Sequence, residues 1–307
     1  MRRVRYERQG GPEALFTEEA PVPEPGPGEL LVKVEAVGVT LPVVRKVRES
    51  AEPVPLGGEV AGEVVRTGDG ATGFAHGDRV TGLVFGHGYA DYALLHTAMA
   101  SPVPDGASAV DAVALVRSGL VARGALEAAR PAAGETALIT AAASGVGHLA
   151  VRLAKLRGAA RVVGAVSDPA KADFVRGLGA DEVVRYDAPD WGEPADYCLD
   201  GVGGELLGPA VAALAPHGRL VAYSSGGGTL SAYDLLVGAK SVTGFQMGLI
   251  ARGRPELYEE WRLDLWRLFH SGELRPAVHA RFDLTDAAAA HAAIESRVNT
   301  GKVVLTP

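Results

Sequence analysis

The run Thr136-Ala-Leu-Ile-Thr-Ala-Ala-Ala-Ser-Gly-Val-Gly-His-Leu-Ala-Val-Arg-Leu-Ala154 holds the residues whose types and spacing point most directly to chemistry. Ala137 to Ile139 read as a buried strand, and Val146, Leu149, Ala150 and Leu153 recur at helical spacing. A turn of small residues between the two delivers backbone N–H groups to a helix N-terminus, an arrangement suited to a phosphate. Ala142, Ser144 and Gly147 occupy the three small positions of a G-x-G-x-x-G dinucleotide fingerprint. Only the last is glycine, so the turn taken alone equally fits an ordinary strand-to-helix connection. Ser144, Gly145, Val146 and Gly147 are the candidate pyrophosphate residues.

The elements that must position this turn follow at suitable distances. Arg161-Val-Val-Gly-Ala-Val166 completes a βαβ unit of about thirty residues, the size such a crossover needs. Apolar segments at Glu182–Tyr186, Ala195–Asp200 and Gly218–Tyr223 come after further helical stretches, an alternation that predicts a parallel sheet covered on both faces. The earlier part reads differently. Leu30–Gly38, Gly58–Val65 and Arg79–Val84 are short strands with glycine turns, predicting a β-rich, barrel-like domain. The closing strand, Gly301–Thr306, resembles these and is assigned back to the first domain. The expected architecture is therefore α/β, a doubly wound parallel sheet inserted in a β-rich domain: residues 1–112, an insertion over 113–248, and a return over 249–307.

Composition narrows the function classes. A chain of 307 residues with 47% hydrophobic residues can bury the cores of two domains. A net charge of −7 supplies no global attraction to nucleic acid or anionic lipid, so neither is expected as the main partner. No apolar run reaches transmembrane length and the first residues lack an apolar signal region, which makes the cytoplasm the expected location. Cys198 is the single cysteine, excluding an internal disulfide and any multi-cysteine metal site; it reads as core filling.

Seven motifs in order, Gly10-Gly-Pro-Glu13, Ala36-Val-Gly-Val39, Gly58-Glu-Val-Ala-Gly62, Gly77-Asp-Arg-Val80, Ala142-Ala-Ser-Gly-Val-Gly147, Asp200-Gly-Val-Gly203 and Glu295-Ser-Arg-Val-Asn-Thr-Gly-Lys302, give the chain a family resemblance. Over essentially its whole length it resembles the zinc-independent medium-chain dehydrogenase/reductases of the quinone oxidoreductase-like branch. The resemblance implies a split GroES-like catalytic domain around a Rossmann domain, NADPH in the cleft between them, and a homodimer. Zinc-dependent relatives carry a histidine before the glutamate matching Glu59, a cysteine near the position of Thr40 and a four-cysteine lobe; this chain has Gly58, Thr40 and one cysteine instead. His76, His87 and His96 are near one another only in sequence, so no metal site is expected.

Cofactor preference turns on the end of the second strand of the parallel sheet. Asp168 stands where an NAD-specific site keeps an acid for the ribose hydroxyl, but Asp168-Pro169 is a standard helix start, which assigns the carboxylate to an N-cap. Ser167 and Lys171 can then face a 2′-phosphate with a hydroxyl and a point charge. The resemblance assigns Lys171 and Tyr186 to that phosphate, Arg297 to the cofactor's vicinity, and Ser225, Gly226, Gly244 and Phe245 to the nicotinamide half.

The nicotinamide-side motif departs from the family. Thr40, Val43 and Arg45 replace its asparagine, aspartate and tyrosine, and Val121 replaces a threonine, so substrate and proton donor are not inherited. Hydride transfer needs an acceptor whose oxygen can take the incoming charge, and Thr40 and Arg45 are the candidate catalytic residues for stabilising it. A simple secondary alcohol would be a poor substrate without zinc or a base. The expected function is NADPH-dependent reduction of a quinone or an α,β-unsaturated carbonyl compound. The alternatives are a pathway-specific enoyl reductase on a polyketide-like intermediate and a cofactor-binding protein with little turnover.

Overall fold

The computed structural model describes residues 1–307. In chain order the strands are β1 (Arg2–Arg5), β2 (Phe16–Glu19), β3 (Glu29–Val39), β4 (Gly58–Thr67), β5 (Arg79–Val84), β6 (Tyr92–His96), β7 (Ala100–Pro102), β8 (Thr136–Ile139), β9 (Arg161–Val166), β10 (Glu182–Arg185), β11 (Ala195–Asp200), β12 (Leu214–Ala222), β13 (Ser241–Gly244), β14 (Val278–Asp283) and β15 (Lys302–Thr306). The helices are α1 (Leu41–Glu49), α2 (Ala109–Ala129), α3 (Gly147–Leu156), α4 (Ala172–Gly177), α5 (Leu207–Ala212), α6 (Ala232–Gly238), α7 (Met247–Gly253), α8 (Pro255–His270) and α9 (Ala287–Glu295).

The chain forms two compact units, Met1–Arg117 with Pro276–Pro307, and Ser118–Arg275. In the first, β14-β15-β3-β4-β5-β7 form a sheet in that order and β6 also pairs with β3. Valines and leucines of β3, β4, β5, β6 and β15 point to one apolar core, which Val43, Val44 and Val47 of α1 also enter. That explains Val43: where the family places an aspartate, this helix packs a methyl-bearing side chain into the core. Pro42 lies in the first turn of α1, where its missing N–H costs nothing.

The second unit is a six-stranded parallel sheet in the order β10-β9-β8-β11-β12-β13. Its central strands β8, β9 and β11 are nearly continuous apolar runs, as burial on both faces demands. The GroES-like and Rossmann architectures are both present.

Both boundaries differ from the sequence reading: the first unit runs to Arg117, beyond the expected end at 112, and the return comes later than 249. Residues 249–275, including α8, belong to the unit containing the parallel sheet, and the chain returns to the first unit only at Pro276. The reason is packing: Trp261 and Leu265 of α8 are buried, and a Cβ added at Gly119 or Gly124 of α2 would strike Leu265 or Trp261. β13 also went unread, because its side chains are mostly exposed and give no hydrophobic pattern.

Candidate functional site at the switch point of the parallel sheet

Strand order reverses between β8 and β11, where the crossovers leave in opposite directions and open a crevice at the carboxyl ends of the strands. The turn after β8 lies there. Ala141 sits in the left-handed region at φ +50°, and its N–H donates to the Tyr186 phenol oxygen at 2.9 Å. The Ser144 N–H returns to the Ala141 carbonyl at 2.8 Å, and the Ser144 hydroxyl accepts from the Gly147 N–H at 3.0 Å. The Gly147 donor is thus satisfied within the turn, and the N–H groups of Gly145 and Val146 are those that open α3 without a protein acceptor. Gly147 is required by close approach: a Cβ there would lie 2.0 Å from the Ala141 carbonyl oxygen. This geometry fits a pyrophosphate, with backbone donors at a helix N-terminus.

Beyond β9, the Asp168 carboxylate accepts from the Ala170 N–H at 2.9 Å, capping the short turn Pro169–Lys171. The N-cap reading of Asp168 therefore holds, and its carboxylate is engaged by the backbone. Ser167 is exposed, whereas Lys171 is buried. Tyr186, just past β10, joins the first turn through Ala141, so the structure brings Tyr186 and the phosphate turn together. Ser225 and Gly226 follow β12, and Gly244 ends β13; Phe245 packs against Trp261 at a ring-centroid distance of 6.4 Å. All these residues belong to the second unit, while Arg297 belongs to the first, exposed on the turn after α9 at φ +54°.

Two residues to which the sequence reading gave no site role organise this crevice, although Asp200 opens one of its motifs. Asp200, fully buried at the end of β11, accepts from the Thr140 hydroxyl at 2.7 Å, the Val202 N–H at 3.1 Å and the Gly203 N–H at 2.9 Å. Thr140, fully buried at the end of β8, in turn accepts from the Gly201 N–H at 2.9 Å. The pair ties together the two strands that flank the reversal and fixes the loop between them and α5. Burial, followed by the Asp200 charge, raises the Tyr223 phenol and Cys198 thiol well above their ordinary values, so both stay protonated. The signal in the sequence was a polar residue at the carboxyl end of each of two largely apolar strands.

The catalytic candidates lie in the first unit. Thr40 is the N-cap residue of α1, with extended backbone and no capping hydrogen bond from its side chain. Arg45, one turn on, pairs with Glu49 at 3.9 Å. No group of three or more His, Cys, Asp or Glu side chains is arranged to hold a metal ion.

A family model described as the alcohol dehydrogenase GroES-like domain matches residues 26–105, and one described as zinc-binding dehydrogenase matches residues 178–305. A quinone oxidoreductase of Pseudomonas aeruginosa is 31% identical over 326 residues, covering 100% of this chain and 99% of that protein. The chain belongs to the quinone oxidoreductase-like, zinc-independent medium-chain dehydrogenase/reductases. A protein of the spectinabilin polyketide synthase system of Streptomyces orinoci is 34% identical over 311 residues, which span 94% of this chain and 14% of that much longer protein. Among solved structures, the Escherichia coli quinone oxidoreductase complexed with NADPH superposes with a TM-score of 0.92 at 27% identity, with 100% of both chains covered.

Proposed function

We propose that this family member is an NADPH-dependent oxidoreductase that reduces a quinone or an α,β-unsaturated carbonyl compound. The observation that carries the reading is the site's division of labour. Gly145 and Val146 offer N–H groups to a pyrophosphate, and the acid that would select NADH is already used as a helix cap. The E. coli relative complexed with NADPH supports the same choice. In this reading Lys171 and Ser167 take the 2′-phosphate, and Tyr186 offers it a phenolic proton while its oxygen holds Ala141. When bound, the cofactor supplies a hydride; the residues of this chain bind it, orient it and receive the charge that develops on the acceptor oxygen.

Calorimetry with NADPH and NADH tests the assignment. Replacing Lys171 by Ala is expected to weaken NADPH by about 10- to 100-fold, the worth of a charge-assisted phosphate contact, and to leave NADH unchanged. Equal loss for both would remove Lys171 from the 2′-phosphate. Oxidation of NADPH across a panel of quinones and enones tests the reaction. The polyketide-system relative supports a second reading, an enoyl thioester as the acceptor. That substrate is also an activated carbonyl compound and belongs in the same panel.

We also propose a homodimer. The outer edge of β13 has no partner strand, and Tyr233, Leu236 and Val237 of the nearby α6 are 70%, 75% and 69% exposed. A second copy would pair that edge and cover those side chains. Light scattering should give twice the chain mass, and Leu236→Glu combined with Val237→Glu should give one. No helix is long and apolar enough to cross a membrane. The single thiol, buried at Cys198, is compatible with the cytoplasm.

A further inference from the structure

The connection from β10 to β11 departs from the rest of the parallel sheet. Strands β9 and β8 lie between those two, and parallel strands are ordinarily joined by a dozen or more residues that include a helix. Here residues 186–194 make the whole passage and form no helix. A sheet face in a parallel fold must still be covered. Trp191 does so from the middle of the connection: it is 7% exposed, in one apolar cluster with Leu138 of β8, Val163 and Ala165 of β9 and Cys198 of β11. Polar ties fix the chain on its far side. The Gly192 N–H donates to Asp190 Oδ1 at 3.0 Å, with Gly192 at φ +86°, and Arg161 of β9 donates to the Glu193 carbonyl oxygen at 2.7 Å.

The first residue of the connection is Tyr186, whose phenol oxygen accepts the Ala141 N–H of the phosphate turn. Its own N–H donates to the Val166 carbonyl at 3.0 Å, at the end of the strand that leads to Ser167. The Tyr186 backbone is thereby fixed, but its ring still turns about two side-chain bonds. Trp191 meets that ring: the centroids are 6.4 Å apart, the planes are tilted by 38°, and Tyr186 and Ala188 both pack against the cluster that holds the indole. A bulky aromatic where a helix would otherwise lie thus limits where the phenol can point.

Resting on the reading above that this crevice takes NADPH, we infer that Trp191 is a positioning residue for the cofactor's 2′-phosphate, acting through the Tyr186 phenol. The indole holds the phenol in the orientation seen at Ala141, so the ordering of that ring is complete before the ligand arrives and is not charged against binding. NADH has no 2′-phosphate and gains nothing from a phenol aimed at one. A buried ring in the core thereby contributes to the preference between the two cofactors.

The test compares NADPH and NADH affinity by calorimetry in the wild type, Trp191→Leu and Trp191→Phe, and in Trp191→Leu combined with Tyr186→Phe. Trp191→Leu keeps apolar bulk but no ring, and is expected to weaken NADPH by about 3- to 10-fold, the worth of an aromatic pair, and NADH by less than about twofold. Trp191→Phe should restore most of the NADPH affinity. On Tyr186→Phe, which lacks the hydroxyl, Trp191→Leu should weaken NADPH by less than about twofold further, because an effect passed through the phenol is lost with it. Equal losses for the two cofactors, or an undiminished loss on Tyr186→Phe, would overturn the inference and leave Trp191 as core filling. Should Trp191→Leu fail to fold, 2′,5′-ADP decides by fluorescence. At saturation it should change tryptophan emission in the wild type, 5′-ADP should not, and Trp191→Phe should lack the change. A change that persists in Trp191→Phe, or none in the wild type, refutes the role. A wild type that binds NADPH no more tightly than NADH would overturn the cofactor reading itself and this inference with it. One that prefers NADPH yet reduces no quinone or enone would overturn only the proposed reaction, and the titrations still judge Trp191.

Discussion

Asp200 offers a test in which two physical arguments give opposite signs. Its carboxylate is fully buried near the turn that suits a pyrophosphate, so a charge-repulsion view predicts that neutralising it would tighten dinucleotide binding. The hydrogen bonds predict the reverse. In Asp200→Asn, the carbonyl can keep the Thr140 hydroxyl and the Val202 N–H, but the amide then faces the Gly203 N–H that Oδ2 accepted at 2.9 Å, setting donor against donor. Losing one charge-assisted bond of this kind costs about 1.5–3 kcal/mol. In Asp200→Ala three donors, the Thr140 hydroxyl and the Val202 and Gly203 N–H groups, lose their acceptor, at about 1–3 kcal/mol each before water compensates. If the displaced loop must be re-formed on binding, the Asn variant should bind NADPH about 10- to 100-fold more weakly, since each 1.4 kcal/mol is about tenfold. Urea unfolding gives the stability term and fluorescence titration the affinity. Tighter NADPH binding in Asp200→Asn, or affinity within about twofold of wild type, would refute the claim that this carboxylate shapes the crevice. Thr140→Val should weaken binding in the same direction, because it removes both the donor to Asp200 and the acceptor for Gly201.

Two further outcomes are expected. His291, buried against Tyr89 with Nε2 3.2 Å from the phenol oxygen, is lowered to about 4 by burial. Because the unfolded chain binds its proton near pH 6.5 and the folded one near 4, stability is full above pH 6.5. It falls by about 3 kcal/mol as the pH drops through that window. Urea unfolding at a series of pH values should show this loss in the wild type and not in His291→Gln. Gly147→Ala must drive a methyl group into the Ala141 carbonyl, so it should abolish NADPH binding by calorimetry while the apo protein still shows a cooperative melt.

Periodicity in the sequence determined much of this protein. β8, β9 and β11 are short apolar runs bounded by small residues, and the structure starts β9 and β11 at the residues the pattern names. The Asp168-Pro169 step likewise announced its cap, because an N-cap bond is made within three residues. What only tertiary structure decided are relations between distant segments. The tie between Thr140 and Asp200 spans 60 residues, and the Arg117–Glu59 contact spans 58. α8 went to the parallel-sheet unit because Trp261 and Leu265 met glycines of α2, which no local pattern encodes. A sequence displays the preferences of each segment for helix, strand or turn. The partner of a buried charge is set by which strands and helices come to lie side by side, and a carboxylate far along the chain becomes a neighbour only after folding has paid the entropy of bringing it there.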